Sequence, residues 1–156
     1  MRGIRRSEQF EEMVRQLAEM QHPEAIPPRS IFPTMRDLLC FAAVLGFEYH
    51  RRHSLQAKTN EIDGRVFSNN QPALDLLYLI ALASSKDANI LREDKEEQIL
   101  QIFEEYAQGG LEILDGWLKA KPEDNHGDRA ILAALGKHGF LDSSKEVEAA
   151  IGDISF

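Results

Sequence analysis

Four cationic or titratable side chains stand in a row at His50-Arg51-Arg52-His53. The two histidines are three residues apart, a spacing that puts both imidazoles on one helix face. A metal would need further ligands, and Glu48 alone lies close in sequence. Arg51 and Arg52 would repel a cation, so no metal site is assigned. The simplest account is a cationic helix C-terminus, where positive side chains complement the dipole and bond the last carbonyls. The second is an anion site, because a planar guanidinium fork can bond two oxygens of a phosphate at once. Arg2, Arg5 and Arg6 form another basic cluster. Arg2, Arg5, Arg6, Arg51, Arg52 and His53 are therefore the candidate contacts to an anion or a DNA backbone.

Carboxylates recur in pairs at Glu96-Glu97, Glu104-Glu105 and Glu123-Asp124. Acid–base catalysis needs two carboxyls that converge with separated pKa values. Neighbours on a helix point about 100° apart, so these pairs read as a solvated face. Cys40 falls in an apolar helix, where a thiol behaves as an inert small hydrophobe. No nucleophile–base signature or glycine-rich phosphate loop is present. No catalytic residue is assigned and no cofactor is implied. A metal-dependent hydrolase or nuclease built on Asp87, Asp94 and Glu97 stands as the enzymatic alternative, since magnesium needs few protein ligands.

The elements that must hold these residues are helical. Ser7 reads as an N-cap for a helix carrying Phe10, Met13, Val14, Leu17 and Met20, ended by Gln21-His22-Pro23. Pro23, Pro27 and Pro28 make an extended connector. A second helix spans about Pro33 to Phe47 and is apolar on every face from Leu38 to Leu45, with Gly46 as its terminator. Asp63-Gly64 signals a turn that pairs Asn60-Glu61-Ile62 with Arg65-Val66-Phe67 as a two-strand ribbon near 60–67. Asn70 and Pro72 open a third helix, apolar nearly all round from Ala73 to Ala83. After a short turn at Ile90-Leu91, an amphipathic helix covers about Glu93 to Gln108, with Phe103 and Tyr106 turned inward. Gly109-Gly110 is expected to break it before a further helix with Leu111, Leu114, Trp117 and Leu118. Short helical pieces follow at Asp128–Leu135 and Ser144–Ala150. The expectation is an all-α, compact bundle of about five to seven helices in a single domain over 1–156, with two buried central helices.

Length and composition agree with that. A chain of 156 residues, 43% hydrophobic and 28% charged, can bury a core without staples, and one cysteine permits no internal disulfide. The net charge of −8 argues against a generally phosphate-coating protein. It is unevenly spread. Residues 1–58 carry nine Lys/Arg and seven Asp/Glu, whereas 59–156 carry nine and nineteen. Any anion-facing surface is thus expected in the N-terminal third. No apolar run suits a membrane span. Ser7-Glu8-Gln9 occupies the place where a signal peptide would need its apolar stretch, so a cytoplasmic protein is expected.

Two stretches carry a resemblance. Ile31-Phe32-Pro33-Thr34-Met35-Arg36-Asp37-Leu38-Leu39-Cys40-Phe41-Ala42-Ala43-Val44-Leu45-Gly46-Phe47 is one, and Ile102-Phe103-Glu104-Glu105-Tyr106-Ala107-Gln108-Gly109-Gly110-Leu111-Glu112-Ile113-Leu114 is the other. Together they resemble the small DNA phosphorothioation-associated proteins, the Dnd system-associated family of the fourth type. The basic opening and the apolar helix of Leu74 to Leu82 fit the same pattern. The resemblance implies a bacterial setting beside genes that replace a non-bridging phosphate oxygen with sulfur, or that restrict unmodified DNA. It carries no catalytic residue. The expected role is a non-enzymatic accessory protein that binds other proteins of that modification and restriction system. Weak DNA-backbone contact through the arginines is the alternative, and a homo-oligomer would multiply such a patch.

Overall fold

The computed structural model describes residues 1–141. The chain begins as a strand, β1 (Ile4–Ser7), because Ile4 and Ser7 are fully buried and the backbone of this stretch finds a partner far along the sequence. That partner is β2 (Thr59–Ile62), antiparallel, with Ile4 opposite Ile62 and Ser7 opposite Thr59. The ribbon expected near 60–67 therefore exists with a different second strand. Arg65-Val66-Phe67 belongs instead to the short helix α3 (Gly64–Ser68), which Asp63 caps by accepting the Arg65 N–H at 2.9 Å. Phe67 is thereby drawn into the core edge-on to Phe103, at 5.7 Å between ring centres.

Ser7 is not a helix cap. Its hydroxyl accepts the Gln56 N–H at 2.9 Å, and a 3-10 turn (Glu8–Phe10) intervenes before α1 (Glu11–Ala18). Further along, α2 (Met35–Glu48) starts at Thr34, whose Oγ1 accepts the Asp37 N–H at 3.1 Å. Asn70 caps α4 (Gln71–Ser85) in the same manner, accepting from Ala73, with Pro72 in the first turn.

The largest departure from the sequence pattern is α5 (Glu96–Lys119), one uninterrupted helix of 24 residues. Gly109-Gly110 does not break it. Gly110 is the floor on which α2 lies, and Gly109 faces the chain just past the end of α2. A Cβ on Gly110 would overlap the carbonyl oxygen of Ala42, and one on Gly109 would overlap that of Arg51. Gly46, read as a terminator, sits inside α2 and packs its bare backbone against Tyr106 and Gly110. Glycine weakens a helix by about 1 kcal/mol relative to alanine, and close helix packing offsets that here.

Around this crossing the core gathers Leu17, Leu38, Leu39, Leu77, Leu100 and Leu114. Both expected apolar helices, α2 and α4, bury a face against α5, and each turns one apolar side chain outward, Val44 and Leu79. Finally α6 (Asp128–Lys137) follows Gly127, whose φ of +92° suits glycine. The result is six α-helices and one two-stranded ribbon among the described residues. No helix of these is long and apolar enough to cross a membrane. The helical piece expected at Ser144–Ala150 lies outside the described residues.

Candidate functional site

Glutamates on one side of α5 organise the basic residues. Glu97, Glu104 and Glu112 are seven and eight residues apart, close to two helical turns each, so they share a face with Glu105 beside them. Across that face lie β1 and the irregular segment 49–58.

Glu104 is the centre of the arrangement. It is 3% exposed, so the solvated-face reading fails for it. Its carboxylate accepts from Arg2 at 2.6 and 3.1 Å, from the Arg5 backbone N–H at 2.5 Å and from Arg5 Nε at 3.3 Å. Arg2 reaches on to Glu97 with Nε at 2.8 Å and Nη2 at 3.1 Å. Partial burial alone would lower the Arg2 pKa, but the hydrogen bonds and charges of Glu104 and Glu97 outweigh it and hold the guanidinium well above the ordinary arginine value. In return, Arg2 pulls the Glu97 carboxyl below the usual range. A buried carboxylate so thoroughly neutralised is neither a general base nor an open metal ligand.

The remaining candidates are placed as follows. Arg6 is buried and pairs with Glu11 at 3.0 Å, while Asn60 donates to the same carboxylate at 2.9 Å. Arg52 meets Glu105 at 3.2 Å, with its guanidinium carbon 6.0 Å from the Tyr106 ring centre. His53 bonds Glu112 through Nδ1 at 2.5 Å, and its backbone N–H donates to the Glu105 carbonyl at 3.1 Å. Arg51 is exposed and makes no ion pair among the described residues. Arg2 and Arg5 are therefore brought to the same helix as Arg52 and His53, but all four point into carboxylates. Arg5, Gln56, Gln101 and Glu104 line a cleft of about 390 Å³ between the ribbon, the 49–58 segment and α5. In the sequence Glu97, Glu104 and Glu105 read as members of adjacent pairs, and Glu112 carries no such pairing. The spacing of seven and eight was the signal that would have joined them on one face.

Two other constellations have chemical interest. His22 Nε2 lies 3.2 Å from Asp128, and the His126 ring centre is 4.6 Å away. His22 Nδ1, however, accepts the Glu24 N–H at 3.2 Å, and the nearby Ser30 hydroxyl donates to the Phe32 carbonyl at 2.6 Å. Both ring nitrogens and the hydroxyl are committed, so this is not a nucleophile–base pair. Asp87, Asp94 and Glu97 do not act together. Asp87 caps a 3-10 turn by accepting from Asn89, Asp94 lies 3.5 Å from Arg92, and Glu97 holds Arg2. Among the described residues, no group of three or more His, Cys, Asp or Glu side chains could hold a metal ion. Cys40 is half-buried, and burial pushes its thiol up to about 11. It is protonated and unreactive at neutral pH.

A family model described as DNA sulphur modification system-associated protein 4 matches residues 3–151, in agreement with the resemblance carried by the α2 and α5 stretches. No curated protein and no solved structure matches the chain.

Proposed function

The chain belongs to the family of DNA sulphur modification system-associated protein 4, and from that premise we propose that it is a non-enzymatic accessory protein that acts by binding other proteins of the system. The observation that carries this reading is the fate of the cations. Five of the six candidate anion contacts already answer carboxylates, in a chain of net charge −8. A surface of that sign favours a protein partner over a phosphate backbone. Co-expression with the other proteins of the DNA sulphur modification system, followed by affinity purification at low and moderate salt, tests it. At least one of them should be recovered with this chain. Recovery of the chain alone at every salt concentration would overturn the reading.

Arg51 supports a second reading, weak and sequence-blind contact with DNA, since among the described residues it alone of the six lacks a carboxylate partner. In a homo-oligomer it would be repeated. Arg51→Ala with Arg52→Ala should then flatten the salt dependence of duplex binding by about one to two units. Equal binding by the double variant removes this reading.

A further inference from the structure

The segment that joins α2 to β2 is fixed at both ends and open in between. At one end the His53 N–H donates to the Glu105 carbonyl at 3.1 Å, and Arg52 meets the Glu105 carboxylate at 3.2 Å. At the other the Gln56 N–H donates to the Ser7 hydroxyl and the Lys58 carbonyl accepts the Glu8 N–H, both at 2.9 Å. Within this stretch the N–H groups of Ser54, Leu55 and Ala57 and the carbonyls of residues 54–57 have no partner among the described residues. Backbone groups held in place but unpaired are a template for a further chain, as at a sheet edge. They border the cleft of about 390 Å³ between the ribbon, this segment and α5, a size within the range of ligand sites. Gln56 and, from α5, Gln101 each bring an exposed amide to it.

The charges at the cleft leave no sign for a ligand ion. Arg5 answers Glu104 and Glu97, Glu104 also holds Arg2, and Glu105 holds Arg52. An anion would face two carboxylates, and a cation would face Arg5. No aromatic ring lines the cleft to stack on a nucleobase. We propose that this cleft binds an extended segment of a protein partner through its peptide groups, with uncharged side chains where it enters. The proposal rests on the accessory reading and names its surface. A peptide chain offers donors and acceptors by turns, which suits both the open backbone of 54–57 and the two amides. The anchors at His53 and Gln56 hold the template ready, so little freedom is lost on binding.

The test uses the full chain co-expressed with the other proteins of the DNA sulphur modification system. Amide hydrogen exchange at Ser54, Leu55 and Ala57 should be fast in the chain alone and at least about tenfold slower in the recovered complex. Gln56→Ala with Gln101→Ala should weaken binding of the recovered partner about tenfold in calorimetry, since each lost hydrogen bond contributes a few-fold. Both side chains are exposed, so thermal unfolding should stay where it is. Gln101→Trp, which fills the cleft from an exposed position, repeats the test if the double variant unfolds. A recovered partner that leaves exchange at the three amides unchanged overturns the cleft and leaves the accessory reading standing. So does undiminished binding by the double variant. No recovery by the wild type overturns both. Slowing in the chain alone as its concentration rises makes a second copy the occupant, and slowing on addition of an oligothymidine strand makes it a nucleic acid. Either result overturns the proposal.

Discussion

Glu104 shows how one side chain can settle the role of several others. Its carboxylate takes hydrogen bonds from the Arg2 guanidinium, the Arg5 backbone and Arg5 Nε in a site nearly closed to water. An uncompensated buried charge is costly, so removing one member of such a set is far worse than replacing the whole. Glu104→Gln keeps the volume but puts an amide NH₂ among donors. It should lower stability by about 2–4 kcal/mol, less than a fully buried pair would lose, since Arg2 retains Glu97. Glu97→Gln breaks an exposed pair and should cost under about 1 kcal/mol. Urea unfolding of the two variants checks the contrast. Equal midpoints would show that burial of Glu104 contributes nothing.

At the scale of elements, the α2–α5 crossing is set by residues with almost no side chain. Gly46 on α2 and Gly110 on α5 let two backbones approach until a Cβ would strike a carbonyl oxygen, and Gly109 does the same for Arg51 just past the end of α2. Gly116 lies on the same α5 with nothing near its missing Cβ. The two glycines make a matched experiment. Gly116→Ala should stabilise the protein by up to about 1 kcal/mol through helix propensity alone. Gly110→Ala gains the same propensity but forces the helices apart, and should destabilise by at least about 2 kcal/mol, as overpacking does. Thermal or urea unfolding reads both. A stabilised Gly110→Ala variant would mean that the crossing yields easily.

For the molecule as a whole, pH dependence follows from the paired carboxylates. Arg65 holds Asp63 at about 2, and Arg2 holds Glu97 below its ordinary value. Burial would raise the Asp124 pKa, but the backbone N–H groups of Ala130, Gly127, His126 and Arg129 outweigh it, and the net shift is downward. A folded pKa below the unfolded one, about 3.9 for Asp and 4.3 for Glu, adds stability above the unfolded value. That stability is lost as pH falls through the folded value. The unfolding midpoint in urea should therefore be level above about pH 5 and fall between about pH 4 and pH 2. A flat profile through that window would contradict the ion-pair account of the N-terminal strand.

The sequence by itself determined the fold class. Apolar spacing marks α1, α2, α4 and α5, and Asn70 and Pro72 mark a start, because periodicity and capping depend on residues within a turn of one another. The family, too, was legible, in the wording of the α2 and α5 stretches. Tertiary structure decided what depends on distant partners. Thr59–Ile62 pairs with Ile4–Ser7 across more than fifty residues, where a local Asp63-Gly64 turn signal pointed elsewhere. Gly109-Gly110 carries the same local penalty in any helix, and only the arrival of α2 turns that weakness into a packing surface. The arginines were visible as charges. Whether they faced solvent or Glu97, Glu104 and Glu105 was decided by which helix the N-terminal strand and the 49–58 segment came to rest on, a choice that no local pattern encodes.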